Sequence, residues 1–146
     1  APPDDFVVLT IDGWVVDDAL QMEALQTRKQ AAKTSIDDAV SAIYNTFNPF
    51  VREYALREEQ ALAFVAANYE GDVPPQINAV VVPTGMTPKQ ATDRVLAQAQ
   101  ALQIALEQLG ELRMQKLAID NMNNVDVVNT HRDNVLQQIA TVAEQL

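Results

Sequence analysis

The stretch that decides the fold runs from residue 87 to residue 110 and reads TPKQATDRVLAQAQALQIALEQLG. Thr87 and Pro88 predict a helix start, because a threonine side chain accepts a free backbone N–H and a proline at the first helical position loses no hydrogen bond. The apolar residues that follow recur every three or four positions: Val95, Ala99, Leu102, Leu106 and Leu109. This spacing predicts a helix with a heptad seam, which is typical of a helical bundle or a left-handed coiled coil.

A second seam follows in the last part of the chain, at Met122, Val125, Val128, Arg132, Val135, Ile139, Val142 and Leu146. A helix unbroken from Pro88 to Asp120 would be about 50 Å long. The asparagine-rich residues 121–124 predict a bend or a short antiparallel turn between the two seams. Arg113 and Arg132 occupy seam positions, where a charged side chain either fixes the helix register or extends past the helix edge into water.

Two helices are predicted upstream of this region. Asp17 or Asp18 offers a carboxylate cap to the first helix, whose apolar stripe is interrupted by Lys29. The pair Asn48-Pro49 breaks that helix, because proline disfavours the α conformation of the residue before it and suits the first position of a new helix. The second helix is expected to end near residues 69–72, which read YEGD.

The opening residues predict a short β-hairpin. Residues 6–11 are apolar and largely β-branched, Asp12-Gly13 is a two-residue turn signal, and residues 14–16 resume the apolar pattern. Such a hairpin is marginally stable alone, so it packs on a helix of this chain or pairs with another chain. Phe6 and Trp14 are accordingly either core residues or anchors for a protein partner.

These elements define a mainly α fold with long heptad-patterned helices and a short N-terminal β-hairpin. The predicted division is an N-terminal hairpin or arm (1–16), a helical hairpin region (17–70), a proline- and glycine-rich linker (71–87) and a long helix or helix pair (88–146), all in one folded unit. Within the linker, Pro75 is able to start a short helix, whereas the run Val80–Val82 also suits a strand.

Composition excludes several classes of function. The 146 residues carry a net charge of −10, which repels nucleic acid. No apolar run approaches the roughly 20 residues of a membrane-spanning helix, and residues 1–5 lack the basic and apolar regions of a secretory signal. Without cysteine and with a single histidine, His131, the chain offers little to build a catalytic site. We therefore expect no enzyme activity and no cofactor.

Acidic clusters are the remaining candidates for a site. Two groups lack the glycine and the terminal glutamate of a calcium loop, so we expect no metal at either. The first is Asp4, Asp5, Asp12, Asp17, Asp18 and Glu23, and the second is Asp120, Asn121, Asn123, Asn124 and Asp126. They are typical of helix caps and solvated surface. His131 has no nucleophile with a nucleophile-elbow pattern to activate, which favours a surface or interface role.

One block of the sequence resembles a known family. Its residues are Arg52-Glu53-Tyr54, Ala61–Phe64, Tyr69–Pro75, Gly85-Met86-Thr87, Gln90–Asp93, Leu96-Ala97 and Arg113. In order and spacing, residues 52–116 resemble the small tail and tail-fibre accessory proteins of tailed bacteriophages. That family has a tyrosine-initiated helix, a Tyr-x-Gly-x-Val-Pro-Pro loop and a long alanine-rich helix opened by Gly-x-Thr.

The resemblance implies a structural virion protein, made in the host cytoplasm, that binds other virion proteins and forms a homo-oligomer. A trimer is suggested by the usual symmetry of fibres. The alternative is a tail-fibre assembly chaperone that is absent from the finished particle. The residues expected at the protein interface are Phe6, Trp14, Val125, Val128, Arg132, Val135, Ile139 and Val142.

Overall fold

The computed structural model describes residues 7–10 and 13–146, and this part of the chain is mainly α-helical. Two strands, β1 (Val7–Thr10) and β2 (Gly13–Val16), pair antiparallel with Leu9 opposite Trp14. Gly13 was predicted to be the second residue of a two-residue turn, but it is the first residue of β2 and pairs with Thr10. Ile11 and Asp12 lie outside the described residues, so the hairpin as a whole stays a prediction. The helices are α1 (Asp18–Phe47), α2 (Val51–Ala66), α3 (Pro75–Thr84), α4 (Pro88–Met114) and α5 (Val125–Glu144).

Helix starts lie where the capping residues predict them. The Asp17 carboxylate accepts a hydrogen bond from the backbone N–H of Leu20 at 3.0 Å. Thr87 and Gln90 form a reciprocal capping box, in which each side-chain oxygen accepts the other residue's backbone N–H, at 3.1 and 3.0 Å. Pro49 lies in a short 3-10 helix, Asn48–Phe50, that separates α1 from α2.

The predicted linker contains a helix. Of the two alternatives for Val80–Val82, the structure has the helical one, since these residues belong to α3. Pro75 occupies its first turn, and Gly85 ends it with a φ of 71°. Residues 71–74 and 85–87 alone remain as connections in this region.

The last part of the chain is two helices rather than one. The α-helix that starts at Pro88 ends at Met114, and the chain tightens into a 3-10 helix, Gln115–Asn121. A second α-helix starts at Val125, where the Asn124 side chain accepts the backbone N–H of Asp126 at 2.7 Å. The predicted interruption at residues 121–124 is confirmed, but a helix unbroken to Asp120 is not formed.

The described chain groups into two compact units. The first consists of Ala1–Val40 and Glu111–Ala140, and the second of Ser41–Gly110 and Thr141–Leu146. The single folded unit expected from the sequence stays a prediction. The first unit buries apolar residues from α1, from the 3-10 helix and from α5: Ala32, Ile36, Val40, Ile119, Val128, Val135 and Ile139.

Ion pairs tie the segments of the first unit together. The Asp37 carboxylate accepts hydrogen bonds from Arg113 Nε at 2.9 Å and from Lys116 Nζ at 2.8 Å. The Lys116 ammonium, and after it the Arg113 guanidinium, hold the pKa of Asp37 below its ordinary value despite partial desolvation. Lys29, which interrupts the stripe of α1, is buried and donates to the backbone oxygen of Asp120 at 3.1 Å. Lys33 pairs with the Asp120 carboxylate.

The second unit has a buried cluster in which two alanines pack against larger aliphatic side chains. Ala61, Ile77, Ala91 and Val95 form one buried cluster, with Val73, Val80, Val81, Met86 and Leu96 packed against it. The turn after α2 places Asn68 and Tyr69 in the left-handed region, with φ of 56° and 58°. The Tyr69 backbone N–H donates to the Phe64 oxygen at 2.9 Å, and the two rings meet edge to face at 5.9 Å.

Replacing Asp37 by asparagine is expected to lower the free energy of unfolding at pH 7 by up to about 1 kcal/mol, because the ion pairs are partly exposed. A carboxyl whose folded pKa is depressed stabilises the fold above its unfolded pKa, and this contribution is lost as the pH falls through the folded pKa. The difference in the free energy of unfolding between wild type and Asp37→Asn, measured by urea denaturation, should therefore shrink as the pH falls into the acid range. Asp38→Asn, at an exposed neighbour, is the control, and an equal loss in both variants would contradict the assignment.

Two glycines should respond oppositely to alanine. Gly85 has a φ of 71°, where a Cβ is strained, so Gly85→Ala should cost about 1–2 kcal/mol. Gly110 lies inside α4 with nothing within 4 Å of an added Cβ, so Gly110→Ala should stabilise by about 0.5–1 kcal/mol. Urea denaturation midpoints measure both effects, and shifts of the same sign would be inconsistent with these backbone assignments.

Candidate functional site

The candidate functional site of the second unit is a groove lined by α2 and α4. One depression of about 470 Å³ is lined by Val51, Tyr54, Ala55 and Glu58 from α2 and by Ala99, Leu102, Gln103, Leu106 and Glu107 from α4. A second, of about 400 Å³, shares Tyr54, Ala99 and Leu102 and extends to Phe47, Arg57, Val95, Gln98, Ala101, Gln145 and Leu146. Together these residues form what is called here the α2/α4 groove.

Helical periodicity explains why these side chains share a surface. The α2 positions 51, 54, 55 and 58 are spaced by three and four residues, and so are the α4 positions 95, 99, 102 and 106. From Val95 to Glu107 the groove follows α4 for about 18 Å at 1.5 Å per residue. The groove therefore has the length of a helix of about three turns.

Small residues contribute to the lining of the groove on both helices. Ala55 on α2 and Ala99 on α4 add one methyl group each. Tyr54 also lines the groove, with its ring tilted against Phe47 and Phe50 at centroid distances of 6.5 and 6.3 Å. The aromatic cluster holds Tyr54 in place without filling the groove.

Apolar groups around the groove are incompletely covered. Leu102 and Leu106 are half-buried, and Val51 is 55% exposed. Exposed apolar side chains in a groove often mark a protein contact.

The charged groups of the groove divide into a paired set and an unpaired set. Arg57 Nη2 donates to Glu53 Oε1 at 2.7 Å, while Arg57 Nε is buried and has no hydrogen-bond partner within the described part of the chain. Glu58 on α2 and Glu107 on α4 are exposed. Neither carboxylate has an ion-pair partner among residues 17–146, and Glu107 has only the Gln103 amide, at 3.4 Å. One acidic group thus lies on each wall.

A polar cluster lies elsewhere in the second unit. Tyr69 donates from its hydroxyl to Asp93 Oδ1 at 2.7 Å, and Lys89 Nζ donates to Asp93 Oδ2 at 2.8 Å. The Lys89 ammonium also lies 4.9 Å from the centre of the Tyr69 ring. These contacts lower the pKa of Asp93 and raise the pKa of both Tyr69 and Lys89. Both carboxylate oxygens are engaged, so the cluster fastens the turn after α2 to α4 and leaves no free base.

The residues expected at a protein interface are distributed differently. Val128, Val135 and Ile139 are buried within the first unit, and Val142 within the second, while Val125 and Arg132 are half-buried. Phe6 and the side chain of Trp14 lie outside the described residues. A single chain therefore already covers much of the second seam, and an interface between chains at these residues stays a prediction.

The arginines at the two seam positions, Arg113 and Arg132, each form an ion pair with a carboxylate. Arg113 bonds to Asp37 with 44% of its side chain exposed, so it links α4 to α1 rather than only extending into water. Arg132 is 24% exposed and bonds to its neighbour Asp133 at 2.9 Å. His131 Nε2 lies 2.8 Å from the Gln115 oxygen, and since a carbonyl only accepts, the imidazole donates.

Neither a metal site nor a membrane span is seen in the part of the chain that the structure describes. No cluster of three or more histidine, aspartate or glutamate side chains is arranged to hold a metal ion among these residues. None of the described helices combines the length and the apolar character needed to cross a membrane.

Sequence reasoning missed the α2/α4 groove, although it identified the apolar residues of the α4 wall. The heptad pattern marks Val95, Ala99, Leu102 and Leu106 as one apolar face. It does not show that the face is covered at Val95 and left open beside Ala99, Leu102 and Leu106. The available signal was the pair of alanines, Ala55 and Ala99, on facing stripes.

Comparison with known proteins finds a phage relative. No family model matches the chain, and no solved structure matches it. The chain is 30% identical over 144 residues to an uncharacterized 23.3 kDa protein in the lys 3' region of Haemophilus phage HP1, and the match covers 97% of this chain and 72% of the relative. At this identity and coverage the relationship extends over nearly all of the chain. The chain therefore belongs to the family of this Haemophilus phage HP1 protein.

Proposed function

We propose that the chain is a non-enzymatic structural protein of a tailed phage virion, associated with the tail or tail fibre. It is made in the host cytoplasm and binds other virion proteins by packing helices against them. The observation that carries the proposal is the α2/α4 groove. Membership of a phage protein family supports it, and so does the likeness of residues 52–116 to tail accessory proteins, because that block contains most of the groove.

The groove suits a helix of another protein better than a small substrate. Helix-in-groove recognition needs an apolar trough that takes side chains at three- and four-residue spacing. Val51, Leu102 and Leu106 leave apolar area in water, and covering such area stabilises a complex by about 25 cal/mol per Å². Among the described residues, the groove lining contains no histidine, cysteine, serine or lysine, so packing is the chemistry that it supports best.

The proposal includes a homo-oligomer, with a trimer matching the symmetry of fibres. Phage fibres and collars repeat around an axis, and a protein bound at each repeat experiences the same symmetry. The competing hypothesis is a tail-fibre assembly chaperone, which binds a fibre transiently through the same groove. The two differ in whether the protein stays in the particle.

Mass spectrometry of purified particles of a phage that encodes this chain tests the proposal directly. We expect the protein at a fixed ratio to the tail proteins. A photo-reactive phenylalanine derivative at position 55, in the groove, should crosslink to a virion protein, whereas the same group at position 63, an exposed α2 residue away from the lining, should not. Absence from particles, with crosslinks to a fibre precursor in infected cells, would establish the chaperone instead.

The oligomeric state has its own measurement. Light scattering over a dilution series should give a constant multiple of 16.1 kDa, and a trimer gives three times that mass. A compact monomer at all concentrations would contradict the homo-oligomer and favour the chaperone or adaptor role, because the apolar seams would then be internal to one chain.

A further inference from the structure

We infer that the α2/α4 groove binds an amphipathic helix whose apolar face is flanked on both sides by lysine or arginine. This inference rests on the proposed function, since it names the partner chemistry of the same groove.

The apolar part of the partner follows from the floor of the groove. Tyr54, Ala55, Ala99, Leu102 and Leu106 present an apolar trough, and the small alanines leave room for inserted side chains. From Ala99 to Leu106 the trough follows α4 for about 10 Å, the rise of about seven helical residues. A helix with leucine-sized residues at i, i+3, i+4 and i+7 places one apolar row along this distance.

The basic flanks follow from the two carboxylates. Glu58 rises from α2 and Glu107 from α4, so the groove has one acid on each side. Within residues 17–146 neither acid forms an ion pair. A helix lying between them brings its flanking positions to both carboxylates, and cationic side chains there form ion pairs while anionic ones are repelled.

The charge of the groove argues against a second copy of the same surface as the occupant. Two copies joined groove to groove bring the Glu58 and Glu107 carboxylates of both into one contact, where like charges repel. Arg57, the cationic side chain in the groove lining, already pairs with Glu53, so it does not neutralise the acids on the two walls. A basic helix from a different protein removes this conflict, and long-range attraction increases its association rate at low salt.

Two synthetic peptides of about 14 residues provide the test. They share one leucine face, and one carries lysine at its flanking positions while the other carries glutamate. Fluorescence anisotropy of labelled peptide against the full chain should show the lysine peptide binding roughly fivefold more tightly, the size expected of two exposed ion pairs. The preference should shrink as salt rises.

Charge-reversal variants show whether the preference belongs to the groove. The double variant Glu58→Lys/Glu107→Lys should invert the preference toward the glutamate peptide. Glu59→Lys/Glu70→Lys changes the net charge equally at exposed acids outside the groove lining and should keep it. If the reversal variant loses its helical circular dichroism, Glu58→Gln/Glu107→Gln provides the milder measurement, in which the two peptides should bind equally.

A blocking variant shows that binding is in the groove. Ala55→Trp fills the trough at an exposed position and should reduce lysine-peptide binding at least tenfold, while Ala63→Trp on the same helix should not. The inference is overturned if wild type binds neither peptide, if both bind equally, or if the control reversal inverts the preference as well. A lower solution mass for Ala55→Trp than for wild type also overturns it, because a second copy would then be the occupant.

Failure of the inference is separable from failure of the proposed function. If both peptides bind equally and Ala55→Trp blocks both, the groove remains a helix-docking site and only its charge selectivity is lost. If the protein is absent from particles while the peptide preferences hold, the docking chemistry stands and the virion role fails.

Discussion

The buried cluster of Ala61, Ile77, Ala91 and Val95 determines how α2, α3 and α4 come together in the second unit. Alanine side chains permit close approach of helices, and the larger Ile77 from α3 fills the space that remains. Protein interiors are packed about as densely as organic crystals. Ala55 and Ala99 lie on the same two helices, α2 and α4, and line the groove. Small side chains on α2 and α4 therefore contribute both to the core and to the exposed trough.

Local features of the fold were predictable because each depends on a few neighbouring residues. The caps at Asp17 and Thr87 and the break at Pro49 follow from backbone hydrogen bonding and the geometry of proline. The 3-10 helix Gln115–Asn121 was not predictable in the same way, since no proline or glycine marks its start. Its position depends on tertiary contacts, above all those of Lys116 with Asp37 and of Lys29 with Asp120. Those partners are separated by 79 and 91 residues along the chain, which no periodicity reveals.

The candidate site shows the same division. A heptad pattern identifies the apolar face of a helix but carries no information about what covers that face. Val128 and Val135 are covered within one chain, whereas Leu102 and Leu106 are only half-covered, although all four occupy equivalent seam positions. Burial depends on the neighbouring element, and the neighbour is set by loops such as the turn at Asn68 and Tyr69. The charge of the site is equally non-local, because the carboxylates of Glu58 and Glu107 line one groove only after α2 and α4 have packed.

The arrangement of the two units along the chain has a consequence for synthesis. Most of the second unit is the continuous segment Ser41–Gly110, whereas the first unit joins Ala1–Val40 to Glu111–Ala140. During synthesis, the α2 and α4 residues of the groove therefore leave the ribosome before the residues that complete the first unit. The entropy cost of closing a loop rises with the length of flexible chain between its ends. Early packing of Ser41–Gly110 shortens that flexible length, so the part of the protein that carries most of the groove acts as a spacer that helps the two segments of the first unit meet.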